Sequence, residues 1–147
     1  MIDPLATVIA YLESLDSVQD VVGAQVASRH KFALPERGRS WRVDGSQGAL
    51  TVRYAPGGEQ HLDVAVQTAR LEARCYGVSE DEAAEVWRAL VGVCRATQRE
   101  SVVTSDGTGL LYWLVQDGSP DFGYDADLKL PVVVQGLRAQ THEDSLN

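Results

Sequence analysis

The strongest constraint on this chain is local. Residues 67–96 run an alternating strand through a glycine straight into a capped amphipathic helix. Leu71, Ala73 and Cys75 point to one side, and Arg70, Glu72, Arg74 and Tyr76 to the other, the period-two pattern of a half-buried strand. Gly77 makes the turn. Ser79 and Glu82 stand in the Ser-x-x-Glu spacing of a capping box, in which each side chain satisfies an otherwise unpaired amide at a helix start. Ala83, Val86, Trp87, Leu90 and Cys94 then recur at helical spacing, so one stripe packs on a core and the remainder is solvated. Trp87 and Leu90 are expected to be buried against the sheet.

Around this unit the chain has room for one ordinary domain. It is 147 residues long and 44% hydrophobic, enough to bury a core. No apolar run approaches the roughly 20 residues of a membrane span. The N-terminus lacks the basic start and continuous apolar block of a signal peptide, which predicts a protein that stays in the cytosol where it is made. Cys75 and Cys94 are too far apart for a CxxC motif, and each falls on an expected buried face, so both read as reduced core residues.

The net charge of −8 argues against sequence-independent binding of a DNA backbone, which needs basic surface. The charge is unevenly spread. Between positions 29 and 42 five basic residues (Arg29, Lys31, Arg37, Arg39, Arg42) face only Glu36, a balance of +4. From position 117 onward six acids (Asp117, Asp121, Asp125, Asp127, Glu143, Asp144) face two bases, a balance of −4. Both stretches read either as solvated loop surface or as complementary contact surfaces.

Along the chain, Asp3-Pro4 signals a helix start, and Leu5, Val8, Ile9, Leu12 and Leu15 form its stripe, ending near Asp16. Residues 21–30 read as a strand, with Val22, Ala24, Val26 and Ser28 on one side. Residues 32–47 carry Pro35, Gly38, Gly45 and many charges and read as a long loop. A strand follows at 50–54, and Pro56-Gly57-Gly58 breaks it. After the strand–helix unit, Asp106-Gly107 and Gly109 mark a turn, 110–116 reads as a strand, and 117–130 as another long loop. Residues 132–140 form the last expected strand. The expectation is an α+β fold, a mostly antiparallel sheet of about four to five strands with two helices packed on one face and long inter-strand loops. Residues 1–140 form the domain, and 141–147 a flexible polar tail.

A search for chemistry returns little. His30, His61 and His142 have no cysteine or carboxylate at ligand spacing. Asp117, Asp121, Asp125 and Asp127 do not match the Asp-x-Asp-x-Asp-Gly calcium loop. Ser105 and Ser119 lack a nucleophile-elbow context. Asp106-Gly107-Thr108-Gly109 is too short for a phosphate loop, and Pro56-Gly57-Gly58 precedes no helix. No catalytic, cofactor-binding or metal residue is assigned, and the sequence argues against an enzyme.

In its arrangement the chain resembles the tail terminator (tail completion) proteins of long-tailed bacteriophages. The resemblance rests on the Asp3-Pro4 helix, the strands flanking a long loop, and Arg70-Leu71-Glu72-Ala73-Arg74-Cys75-Tyr76-Gly77. It continues through the Glu80-Asp81-Glu82-Ala83-Ala84 helix and a final hairpin whose loop reads Gly118-Ser119-Pro120-Asp121-Phe122. It spans the chain from Asp3 to about Arg138, and order and spacing carry it, since the family has no catalytic signature.

The resemblance implies a homo-oligomeric ring, commonly a hexamer, that caps the tail tube, stops polymerisation and offers the head a docking surface. Its partners would be itself, the tail tube protein and a head–tail connector or neck protein, with genomic DNA passing through unbound. It implies a virion protein at the head-proximal end of the tail, assembled in the host cytoplasm, with no cofactor and no membrane contact. The expected interface residues are Arg37, Arg39, Trp41 and Arg42 against Asp121, Phe122, Tyr124 and Asp125 of a neighbour. Two other readings stay open: another head–tail connector or neck protein, and a small cytosolic enzyme or ligand-binding domain.

Overall fold

The computed structural model describes residues 3–22, 26–27, 48–55, 66–104 and 107–143. They form α1 (Pro4–Ser14), α2 (Asp16–Val22), β1 (Val26–Ala27), β2 (Ala49–Tyr54), β3 (Val66–Tyr76), α3 (Glu80–Ala96), β4 (Glu100–Thr104), β5 (Gly107–Gln116), β6 (Asp121–Asp125) and β7 (Leu130–Glu143).

The first helix starts where the sequence signals it. The Asp3 carboxylate accepts the Leu5 N–H at 3.1 Å, and Pro4 opens the helix. The same carboxylate takes a hydrogen bond from the Tyr54 hydroxyl, tying β2 to the start of α1. Leu15 is extended and ends α1, and α2 follows at once. The strand expected at 21–30 is therefore corrected. Val18 and Val22, four residues apart, share the buried side of α2, so residues 21 and 22 are helical. Val26 and Ala27 form β1, and the rest of the expected strand lies outside the described residues. Over so short a stretch the alternation at 22, 24 and 26 competes with helical spacing from 18 to 22, and packing decides.

The strands form one sheet in the order β1-β2-β3-β7-β5-β4, with β6 also on β7. The β1–β2 pair is parallel and the other pairs are antiparallel. The 14-residue β7 is the spine. It takes β3 along one flank from Val132 to His142, which leaves β5 and then β6 to share the other flank. The α+β class and the mostly antiparallel sheet stand, with seven strands and three helices among the described residues.

Two expected loops and ends are corrected. The stretch 117–130 holds β6, whose side chains are mostly exposed and loop-like while its backbone pairs with β7. The tail expected at 141–147 is corrected over its first three residues, because Thr141 is buried in β7 between Gln67 and Leu111 and the strand runs to Glu143. Residues 144–147 lie outside the described residues. Polar side chains do not end a strand whose neighbours still supply ladder partners. Between β5 and β6 the chain passes Gly136 so closely that a Cβ there would sit 2.4 Å from the Asp117 carbonyl oxygen.

All three helices lie on one face. Leu12 of α1, Val18 of α2 and Leu90 of α3 share one core with Leu50, Leu71, Cys75, Val133 and Leu137 of the sheet. The shift in the β5–β7 register between Leu111 and Trp113 brings Leu111 and Leu114, three apart, into that same core. Ser79 caps α3 as expected, its Oγ accepting the Glu82 N–H at 3.2 Å, but the reciprocal bond is shifted by one residue: Glu82 Oε2 accepts the N–H of Val78, just before the cap, at 2.9 Å. Gly77 is required by closeness, since a Cβ would lie 2.4 Å from the Ala83 nitrogen. No helix among the described residues is long and apolar enough to cross a membrane.

Candidate interaction surface on the β6 edge

Four of the eight residues expected at an interface fall within the five residues of β6. Phe122 and Tyr124 pair with Val133 and Pro131 and so project toward the helix side, where Val133 is in the core. They remain 60% and 63% exposed. The Phe122 ring meets Trp87 edge-on, with centroids 5.6 Å apart, and this contact fixes its direction. Beside them an open groove of about 330 Å³ runs between the start of α3 and the β6–β7 hairpin, lined by Glu80, Ala83, Phe122, Tyr124, Pro131 and Val133. Among the described residues β6 pairs only with β7, so its outer side presents backbone donors and acceptors with no neighbouring strand.

Asp121 and Asp125 point to the opposite face, with Val134 and Leu130. Asp125 is already engaged within the chain. Its Oδ1 accepts the N–H groups of Asp127 and Leu128 at 3.0 and 3.1 Å, closing the hairpin turn. Its Oδ2 accepts the Tyr76 hydroxyl at 3.2 Å and lies 3.8 Å from Arg74 Nη1. Asp125 thus anchors the hairpin to β3, a role invisible without the register. Asp121 is exposed. Arg37, Arg39, Trp41 and Arg42 lie outside the described residues.

The open face of the sheet carries a charge network that the sequence reading missed. Glu72 Oε1 is 2.8 Å from Arg53 Nη2 and 2.9 Å from Arg74 Nε. Burial alone would push the Glu72 carboxyl up, but its hydrogen bonds to Arg74 and Arg53 outweigh that and hold it below the usual value. Arg70 Nε lies 3.5 Å from Asp117 Oδ2. The Cys75 thiol is fully buried and pushed up by burial, and burial raises Cys94 to about 11. Neither is poised as a nucleophile. No group of three or more histidine, cysteine or acidic residues that could hold a metal ion occurs among the described residues.

Compared with known proteins, the chain matches no family model and no curated protein.

Proposed function

We propose that this chain is a structural virion protein, a tail terminator that closes into a homo-oligomeric ring, hexameric as in the family it resembles. The ring caps the tail tube, stops its growth and offers the head or neck a docking surface. The observation that carries this reading is the β6 edge, where Phe122 and Tyr124 stand 60% and 63% exposed on a strand whose outer side has no described partner. Exposed aromatic pairs beside an apolar groove gain free energy when covered, and such anchors concentrate at the centres of protein interfaces.

A contact of this edge with a different surface of the next copy is heterologous and repeats until rotation closes it. The basic stretch holding Arg37, Arg39, Trp41 and Arg42 supplies part of that other surface in this reading. Glu80 and Tyr124 are the ionisable side chains lining the groove, which suits a contact better than a catalytic pocket. A net charge of −8 lets DNA pass without being held.

Replacing Phe122 and Tyr124 together by serine tests the reading. Both side chains are exposed, so the chain should stay folded while rings and capped tails are lost. Normal capping by the double variant would overturn the role of this edge. A ring located on the neck rather than on the tube end would assign the chain to a neighbouring connector.

A further inference from the structure

An acidic chain has concentrated arginine on one surface. Arg53, Arg70, Arg74 and Arg138 alternate along their strands with core residues such as Val52, Leu71, Ala73 and Leu137, and so stand on the face turned away from the helices. Glu72 holds Arg53 and Arg74, and Asp117 lies beside Arg70. Arg138 is exposed and has no carboxylate partner among the described residues. It stands directly opposite Arg70 in the β3–β7 ladder.

Like charges at such a position, with Cβ atoms about 4.5–5.5 Å apart, repel. The ladder sets the two arginines side by side, and Asp117 already neutralises Arg70, so an incoming carboxylate gains most from the Arg138 fork, with Arg70 as its neighbour. Val115, opposite Arg138 on β5 and 41% exposed, adds an apolar border. The complement is on the same chain. Glu80 and Asp81 are exposed in the first turn of α3, on the other side of the sheet and next to the β6 groove.

We propose that the first turn of α3 in one copy docks on Arg70 and Arg138 of the next copy. The inference rests on the ring reading above and specifies which faces meet. Because the two surfaces lie on opposite sides of one sheet, each subunit offers both at once, as a head-to-tail ring requires. A DNA phosphate would satisfy the same forks, but the chain's net charge of −8 disfavours that occupant.

Two charge-reversed forms of the full chain test this, Arg70→Glu with Arg138→Glu, and Glu80→Lys with Asp81→Lys. Arg138→Glu alone serves if loss of the Arg70–Asp117 pair impairs folding, which circular dichroism reports. Assembly is followed by sedimentation velocity, and by negative-stain imaging on purified tube ends. Each form alone should need at least roughly tenfold more protein than wild type to close a ring. An equimolar mixture should recover wild-type assembly, because every contact in an alternating ring then joins opposite charges. Wild-type rings from either form alone, or a mixture no better than its components, would overturn the contact and leave the ring reading standing. Duplex DNA binding that is lost on reversing Arg138 would overturn it in favour of a phosphate site. A wild-type chain that closes rings neither in solution nor on tube ends would overturn the ring reading itself, and the contact with it.

Discussion

The indole N–H of Trp87 donates to Gln135 Oε1 at 2.9 Å, joining the middle of α3 to the spine strand β7 through a side chain that is wholly buried. The same oxygen accepts Gln116 Nε2 at 3.1 Å, and Gln135 Nε2 donates to the carbonyls of Gly118 and Gly136 at 3.0 and 2.9 Å. One amide therefore sets where β5 ends, where the chain turns toward β6, and how Trp87 stands beneath Phe122. Gln135→Leu keeps the volume and leaves the half-buried Trp87 N–H without its acceptor. The Gly136 carbonyl keeps the Asp117 N–H, and Gln116 and Gly118 can turn to solvent, so the change should cost about 1–3 kcal/mol. Urea titration followed by tryptophan fluorescence measures it. A neutral result would mean that water replaces the amide.

The α3 packing makes a second prediction. Leu90 is 1% exposed in the main core, so Leu90→Ala should cost about 2–5 kcal/mol. Ser79→Ala removes one cap bond at a helix start and should cost only ~1 kcal/mol. Thermal unfolding of both variants ranks them. An unchanged melting temperature for Leu90→Ala would contradict the assigned helix face.

How much of this was legible in the sequence follows from how local each signal is. The β3–Gly77–α3 unit could be read directly, because its two periods and its Ser79–Glu82 cap all lie within 30 consecutive residues. The second helix was hidden by its length of seven residues. The β6 strand was hidden because its side chains are solvated and only its pairing with β7 makes it a strand. Phe122 and Tyr124 could be singled out as aromatics in a polar stretch. The in-chain role of Asp125 could not, since it depends on Tyr76 and Arg74 arriving from another strand. Arg138 escaped notice for the same reason, as its opposition to Arg70 exists only in the register.

Acid should expose the Glu72 network. With its folded value held below the ordinary glutamate value of 4.5, Glu72 binds a proton more readily in the unfolded chain. Its contribution is therefore full above that pH and is lost as pH falls through and below it. Glu72→Gln should flatten the acid limb of stability against pH, read by urea titrations at successive pH values. An acid limb identical in the variant and the wild type would contradict the assignment.

The cysteines should be protected. Cys75 is fully buried with its thiol raised by burial, and Cys94 is raised to about 11, so little reactive thiolate exists near neutral pH. Both should react with a thiol reagent far more slowly in the native chain than in urea, with Cys75 the slower. Rapid native labelling of Cys75 would contradict its place in the core.

The central claim is that this chain ends tube growth, and tail length measures it most directly. Tails assembled without the protein, imaged by negative stain, should be abnormally long and variable. Adding the wild-type chain should restore one length and place a ring at the head-proximal end, and the Phe122→Ser, Tyr124→Ser form should not. Tails of normal, uniform length in its absence would contradict the account.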